Sequence, residues 1–156
     1  MLNFKKNNLS IKSGGQTGVE RAALDYALCN GLLYSGWCPH GRLADDGVIP
    51  HRYLLNEAFS EDLIGRIVQN IIESDGVLII IYDEMNEPTQ LAYDLAMDYQ
   101  KPVFVWALYK NRNHRLIANW IEKENISVLN ITGPSEKNAA GIHEETLDLL
   151  DKFFRN

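Results

Sequence analysis

Ser13-Gly14-Gly15-Gln16-Thr17-Gly18 places two adjacent glycines among hydroxyl and amide side chains, directly after an apolar run and directly before a helical period. Without a Cβ, glycine tolerates positive φ, so consecutive N–H groups can converge on one point, and the start of a helix adds partial positive charge there. A phosphate is the guest such a loop suits. In this reading Gly14, Gly15, Thr17 and Gly18 cradle the anion, Gln16 orients the ligand, and Arg21, one turn on, supplies charge. The same glycines would equally serve a turn that lets the helix pack close to a sheet, and the local sequence leaves both open. Two common nucleotide motifs are disfavoured. Gly15-x-x-Gly18 lacks the first glycine of the dinucleotide fingerprint, and no Lys-Ser/Thr follows to make a nucleoside-triphosphate loop.

Further along, Trp37 suits either stacking on a flat heterocycle or core packing at a strand end. Arg42, in a Gly/Pro-rich loop, suits either anionic oxygen or a solvated surface. Thr89 and Ser135 offer secondary hydroxyl donors, and Gly133 opens the turn after the last strand. Cys38-x-His40 with His51 supplies too few ligands for a metal centre, so none is expected. Cys29 reads as core filling. No catalytic residue can be assigned from linear spacing. An enzyme would draw its acid or base from Asp45, Asp83 or Glu87, although Glu87 also reads as an acid favoured in the first turn of a helix.

Short β-rich runs alternating with helical periods must position these residues, a pattern that predicts an α/β fold with a mostly parallel sheet of about five strands and helices on both faces. The strands are expected at Leu9 to Lys12, Leu32 to Ser35, Gly76 to Tyr82, Pro102 to Leu108 and Ile126 to Ile131. Val77 to Ile81 and Val103 to Trp106 are unbroken apolar runs, as in strands buried on both faces. Helical stripes start at Val19, Leu63, Leu91, Leu116 and Leu147, with Ser60 as a candidate N-cap and Pro88 in a first turn. The segment from Gly36 to Phe59 has no period and several Gly and Pro residues. A loop that long is expected to be functional. In parallel sheets, ligands collect at the carboxyl ends of strands, where this segment, the glycine loop and Thr132 to Glu136 would lie.

The 156 residues suit one domain covering 1–156, and 46% hydrophobic with 23% charged residues excludes a disordered or fibrous chain. No stretch approaches the length of a membrane span, and two cysteines without a partner framework point to a reducing cytoplasm. The net charge of −6 makes nucleic acid a poor partner.

The residues Ser13 to Asp25, Gly36-Trp37-Cys38-Pro39-His40-Gly41-Arg42, Ala44 to Pro50, Arg66, Asn70, Ser74-Asp75-Gly76, Gly133-Pro134 and Gly141-Ile142 together resemble the Putative molybdenum carrier family. That family belongs to a Rossmann-like group that includes the cytokinin-activating phosphoribohydrolases. The resemblance implies a three-layer Rossmann-like fold, homo-oligomeric assembly, and binding of the molybdenum cofactor, a phosphorylated pterin, as cargo. Two positions depart from the family pattern. Glu87-Pro88-Thr89 stands where Gly-Gly-Thr is usual, which removes backbone donors and adds a carboxylate. Ser135 replaces an arginine, which removes a bidentate partner for oxyanions. The glutamate of the phosphoribohydrolases is absent, with Leu91 and Ala92 in its place. A nucleotide-processing hydrolase or transferase, or a nucleotide sensor, remains the alternative.

Overall fold

A computed structural model describes residues 8–59 and 62–155. The chain runs β1 (Ser10–Lys12), α1 (Val19–Asn30), β2 (Tyr34–Ser35), β3 (Trp37–Cys38), a 3-10 turn (His40–Arg42), β4 (Leu43–Ala44), β5 (Gly47–Val48), β6 (Asn56–Glu57), α2 (Leu63–Ile72), β7 (Gly76–Ile81), α3 (Glu87–Asp98), β8 (Val103–Ala107), α4 (Arg115–Lys123), β9 (Val128–Thr132) and α5 (Ile142–Arg155). Five strands pair in the order β2-β1-β9-β7-β8, each neighbouring pair parallel. The three-layer α/β expectation holds.

Period two explains the layers. Leu78 and Ile80 of β7 enter a core shared with α1, α4 and α5, through Val19, Ala23, Ile117, Ile121, Leu149 and Phe153. Val77, Ile79 and Ile81 face the opposite way and pack with Ile71 of α2 and Ala96 of α3. Both faces of β7 are therefore dry, which is why its sequence shows no polar alternation. Burying a residue such as Ile79 contributes about 1.5–3 kcal/mol relative to leaving it exposed.

Helix ends follow local chemistry. Asn86 caps α3 by accepting from the Thr89 N–H at 3.2 Å, and Pro88 occupies a first-turn position where its missing donor costs little. The cap of α2 is Asp62, which accepts from Ile64, whereas the expected cap Ser60 lies outside the described residues. Among the described residues, no helix is long and apolar enough to cross a membrane.

The segment without a period is organised by two small pieces of pairing and one buried cluster. β3 pairs parallel with β6, β4 and β5 form an antiparallel hairpin, and Cys38, Ile49 and Tyr53 bury against Leu24 of α1. The Asn70 side chain of α2 brackets Trp37, accepting from its N–H at 2.8 Å and donating to its carbonyl at 3.0 Å.

Strand order sets the cleft. The chain leaves β1 toward β2 on one side and β7 toward β8 on the other, and β9 fills the gap between them. The carboxyl ends of β1, β9 and β7 thus open into one crevice between α1 and α3, the place where such sheets bind ligands.

Candidate functional site

The glycine loop, residues 13–18, connects β1 to α1 at the floor of this crevice. Glu20, in the first turn of α1, folds back over it. Its Oε1 accepts from the Gln16 N–H at 3.1 Å and lies 3.9 Å from an Arg66 guanidinium nitrogen, while its Oε2 accepts from the Thr132 hydroxyl at 2.8 Å. The Gln16 side chain accepts from the N–H groups of Thr17 and Asp45 at 2.9 and 3.0 Å. Gly15 donates to the Ser13 hydroxyl oxygen at 3.4 Å. A carboxylate of the chain itself therefore occupies part of the place the sequence reserved for an oxyanion. The N–H groups of Gly14 and Gly18 have no acceptor among the described residues.

Close approach explains two of the glycines. Gly15 and Gly18 both have φ of 83°, and a Cβ there would lie 2.8 Å from Leu55 Cδ1 and 2.4 Å from the Pro134 carbonyl oxygen, respectively. At Gly133 a Cβ would reach the Ile80 carbonyl oxygen at 2.2 Å. These positions let the loop, α1 and the turn after β9 come together, so the packing role left open by the sequence is real.

Two cavities flank the loop. The first, about 230 Å³, has apolar walls from Leu63 and Ile67 of α2, Pro88 and Ala92 of α3, and Pro134. Its polar groups come from Gln16, Glu20, Arg66, Asn86, Thr89, Thr132 and Ser135. Thr89 is only 2% exposed, yet its hydroxyl, like the Asn86 amide nitrogen, has no hydrogen-bond partner among the described residues. Ser135 is buried, and its hydroxyl oxygen accepts from the Asn138 N–H at 3.3 Å.

The second cavity, about 460 Å³, lies on the other side of Thr17 and Gly18 and meets the first at Asp45, which borders both. On its wall, Asp25 accepts from the Tyr53 hydroxyl and pairs with His143 Nε2 at 2.8 Å. Arg52 donates to the Tyr53 oxygen at 2.9 Å, and burial together with Asp25 pushes the Tyr53 phenol above its ordinary range. Glu136 accepts from the N–H groups of Gly141 and His143 at the start of α5, which holds its carboxyl below the usual range.

Three expected residues take unexpected places. Arg21 is buried, donates to the Gly15 carbonyl at 3.0 Å and forms a two-pronged pair with Asp46 at 2.9 and 3.1 Å, lowering that carboxyl below its ordinary range. Arg42 is a correction. It is 8% exposed, and its guanidinium donates to the carbonyls of Ile49, Pro50 and Tyr53 at 3.1, 2.9 and 2.8 Å, so it staples the long segment rather than meeting solvent or an anion. Trp37 borders neither cavity of the crevice. Its indole N–H donates to Glu73 at 2.5 Å and its ring lies 6.3 Å from that of Phe59. Of the acids named for an enzyme, Asp45 reaches the crevice, while Asp83 is tied to Lys110 at 2.9 Å on the surface.

Sequence reasoning missed Glu20, Asn86, Asp25, Tyr53 and His143 as cleft residues. For Glu20 a signal existed, since Thr17-x-x-Glu20 has the spacing of a capping box, in which a first-turn acid reaches back to a preceding N–H. Asp25, Tyr53 and His143 come together only in three dimensions. Among the described residues, no group of three or more His, Cys, Asp or Glu is arranged to hold a metal ion.

Residues 11–154 match the model of the circularly permutated YpsA SLOG family, and the chain belongs to that family. A crystal structure at 1.45 Å resolution, that of a protein from Syntrophus aciditrophicus SB called "Putative molybdenum carrier protein", is similar to it with a TM-score of 0.90 and 39% identity. The similarity covers 92% of this chain and 93% of that one. No curated protein matches the chain.

Proposed function

We propose that this member of the circularly permutated YpsA SLOG family binds and carries a small phosphate-bearing ligand, with the molybdenum cofactor as its cargo, across the two cavities that meet at Asp45. The similar Syntrophus protein is named a molybdenum carrier. The observation that carries the reading is this chain's own: Thr89 and Asn86 line the smaller cavity, and the Thr89 hydroxyl and Asn86 amide nitrogen, both buried at its wall, have no partner among the described residues. An unpaired buried polar group costs about 1–3 kcal/mol, so a protein retains two together where a bound molecule completes them.

The larger cavity falls within the roughly 300–1,000 Å³ of small-molecule sites, and the smaller one extends it. Asp25, Asp45, Asp46 and Glu136 line the larger cavity together with Arg21, Arg52 and Lys137, so the phosphate end is assigned to its Thr17–Gly18 side, beside the free Gly18 N–H and the positive end of α1. The metal of such a cargo arrives on its own dithiolene sulfurs. The residues therefore fit a phosphorylated pterin without needing to ligate its metal.

A thermal-shift series with molybdenum cofactor, molybdate, tungstate, phosphate and nucleoside monophosphates tests the reading. A ligand at a hundred times its Kd stabilises by about 2.7 kcal/mol. A saturable rise is expected for a phosphate-bearing ligand, reduced in Thr89→Val. If no member of the series shifts the wild type, or if Thr89→Val shifts equally with every one, the carrier reading fails.

One observation favours a second reading, a nucleotide hydrolase or transferase: a histidine held by a carboxylate on a cavity wall is the arrangement that general-base catalysis uses. Product release from a nucleotide panel, abolished in His143→Gln, would establish it in place of carriage.

A further inference from the structure

We infer that the smaller cavity takes the heterocyclic end of the ligand, an amino-oxo-pyrimidine edge as in pterin or guanine, with Glu20 as its specificity-determining residue. This rests on the carrier reading and concerns which end of the cargo lies where. A phosphate cradled by backbone would need converging N–H groups, and here those are spent or missing. The Gln16 N–H is given to Glu20, the Thr17 N–H to Gln16 and the Thr89 N–H to Asn86, and Pro88 has none. Glu20 and Asp45 contribute two carboxylates against the one guanidinium of Arg66. Glu20 in particular lies over the loop itself, so a dianion at that point meets a like charge directly.

The walls point the same way. Ile67 of α2 and Ala92 of α3 line the cavity together with Pro88 and Pro134, giving apolar surface that suits the faces of a ring and offers nothing to an ion. At about 230 Å³ the space is smaller than usual for a whole ligand, and it holds one end. The edge of an amino-oxo-pyrimidine carries adjacent N–H donors beside a carbonyl. The Glu20 oxygens have lone pairs left for the donors, while the Thr89 hydroxyl and Asn86 amide, unpaired and buried at the wall, supply what the carbonyl requires once their side chains turn toward it. The phosphate then extends past Asp45 toward Thr17 and Gly18.

Isothermal titration of the full chain with free pterin, GMP, AMP and inorganic phosphate tests this. Pterin and GMP are expected to bind, with AMP, whose base lacks the paired donors and the carbonyl, at least tenfold weaker. Glu20→Gln should weaken pterin tenfold or more and leave phosphate unchanged. Ala92→Leu, which narrows the ring slot without touching a hydrogen bond, should weaken pterin alone, and unaltered circular dichroism shows that both variants fold. Tighter phosphate binding in Glu20→Gln, with pterin unaffected, would overturn the inference and make Glu20 a displaceable plug in an oxyanion site. Phosphate-bearing ligands that bind irrespective of their base would end the inference and leave carriage standing. No binding by any probe would end both.

Discussion

Replacing Arg42 by methionine separates a structural from a ligand-binding arginine. Its guanidinium makes three bonds to carbonyls, those to Ile49 and Tyr53 fully buried and the one to Pro50 partly so. Hydrogen bonds to a charged group contribute about 1.5–3 kcal/mol each, and their loss strands acceptors that the solvent does not reach. Methionine preserves the packing of the side-chain stem and adopts the same backbone, whose φ of 59° is unusual for either residue, so strain cancels between the two proteins. The two buried bonds together set an expected loss of about 3–6 kcal/mol. For a chain of this size each kcal/mol lowers Tm by roughly 2–4 °C, so the transition should fall by on the order of 10 °C. Urea unfolding followed by circular dichroism reads the same quantity through a reduced midpoint at constant slope. A loss below about 1 kcal/mol, accompanied by abolished ligand-induced stabilisation, would show Arg42 to be a solvent-facing anion ligand and refute the staple.

Gly15→Val should lower the melting temperature rather than selectively remove ligand binding, because φ is 83° and the new Cβ meets Leu55 at 2.8 Å, whereas Gly31→Ala, with open space around it, should cost far less by the same melt. Acid should also destabilise the protein. Backbone donors depress the Glu136 carboxyl and the Arg21 pair depresses Asp46, so the stabilisation is fully present above their unfolded values near 4 and is lost as pH falls through the lower folded values. Glu136→Gln should flatten the fall in urea midpoint below about pH 4. An unchanged slope would remove Glu136 from the set of linked groups.

Much of the architecture was legible because it is written in short-range pattern. The unbroken Val77 to Ile81 run announced a strand dry on both faces to within one residue of its bounds, and the stripe from Val19 to Ala27 announced α1 from its first residue but stopped three short of its end. The order of strands was not legible, since Val128 to Thr132 carries the same signal whether it ends at an edge or between two others. The loop was found as strand, glycine turn and helix. What fills it was not, because a carboxylate that serves as internal partner looks in sequence like any first-turn acid. Arg42 failed for a related reason: an arginine in a Gly/Pro segment reads as exposed unless the carbonyls that surround it are known. Thr89 lines the smaller cavity, and the isolation of its hydroxyl from any partner among the described residues depends on packing that no spacing encodes.

The central place of β9 has a consequence for biosynthesis. Synthesis proceeds from the amino end, so β1 with β2, and β7 with β8, leave the ribosome as two separate parallel ribbons, each with a bare inner edge, until residues 128–132 arrive to join them. Pairing Lys12 with Asn130 closes a very long loop, a step that is slow and leaves nascent edges open to other chains meanwhile. Because the crevice takes its walls from both ribbons and from the strand that joins them, the ligand proposed for it would have nothing to hold until that last join is made, and its binding would report completed folding.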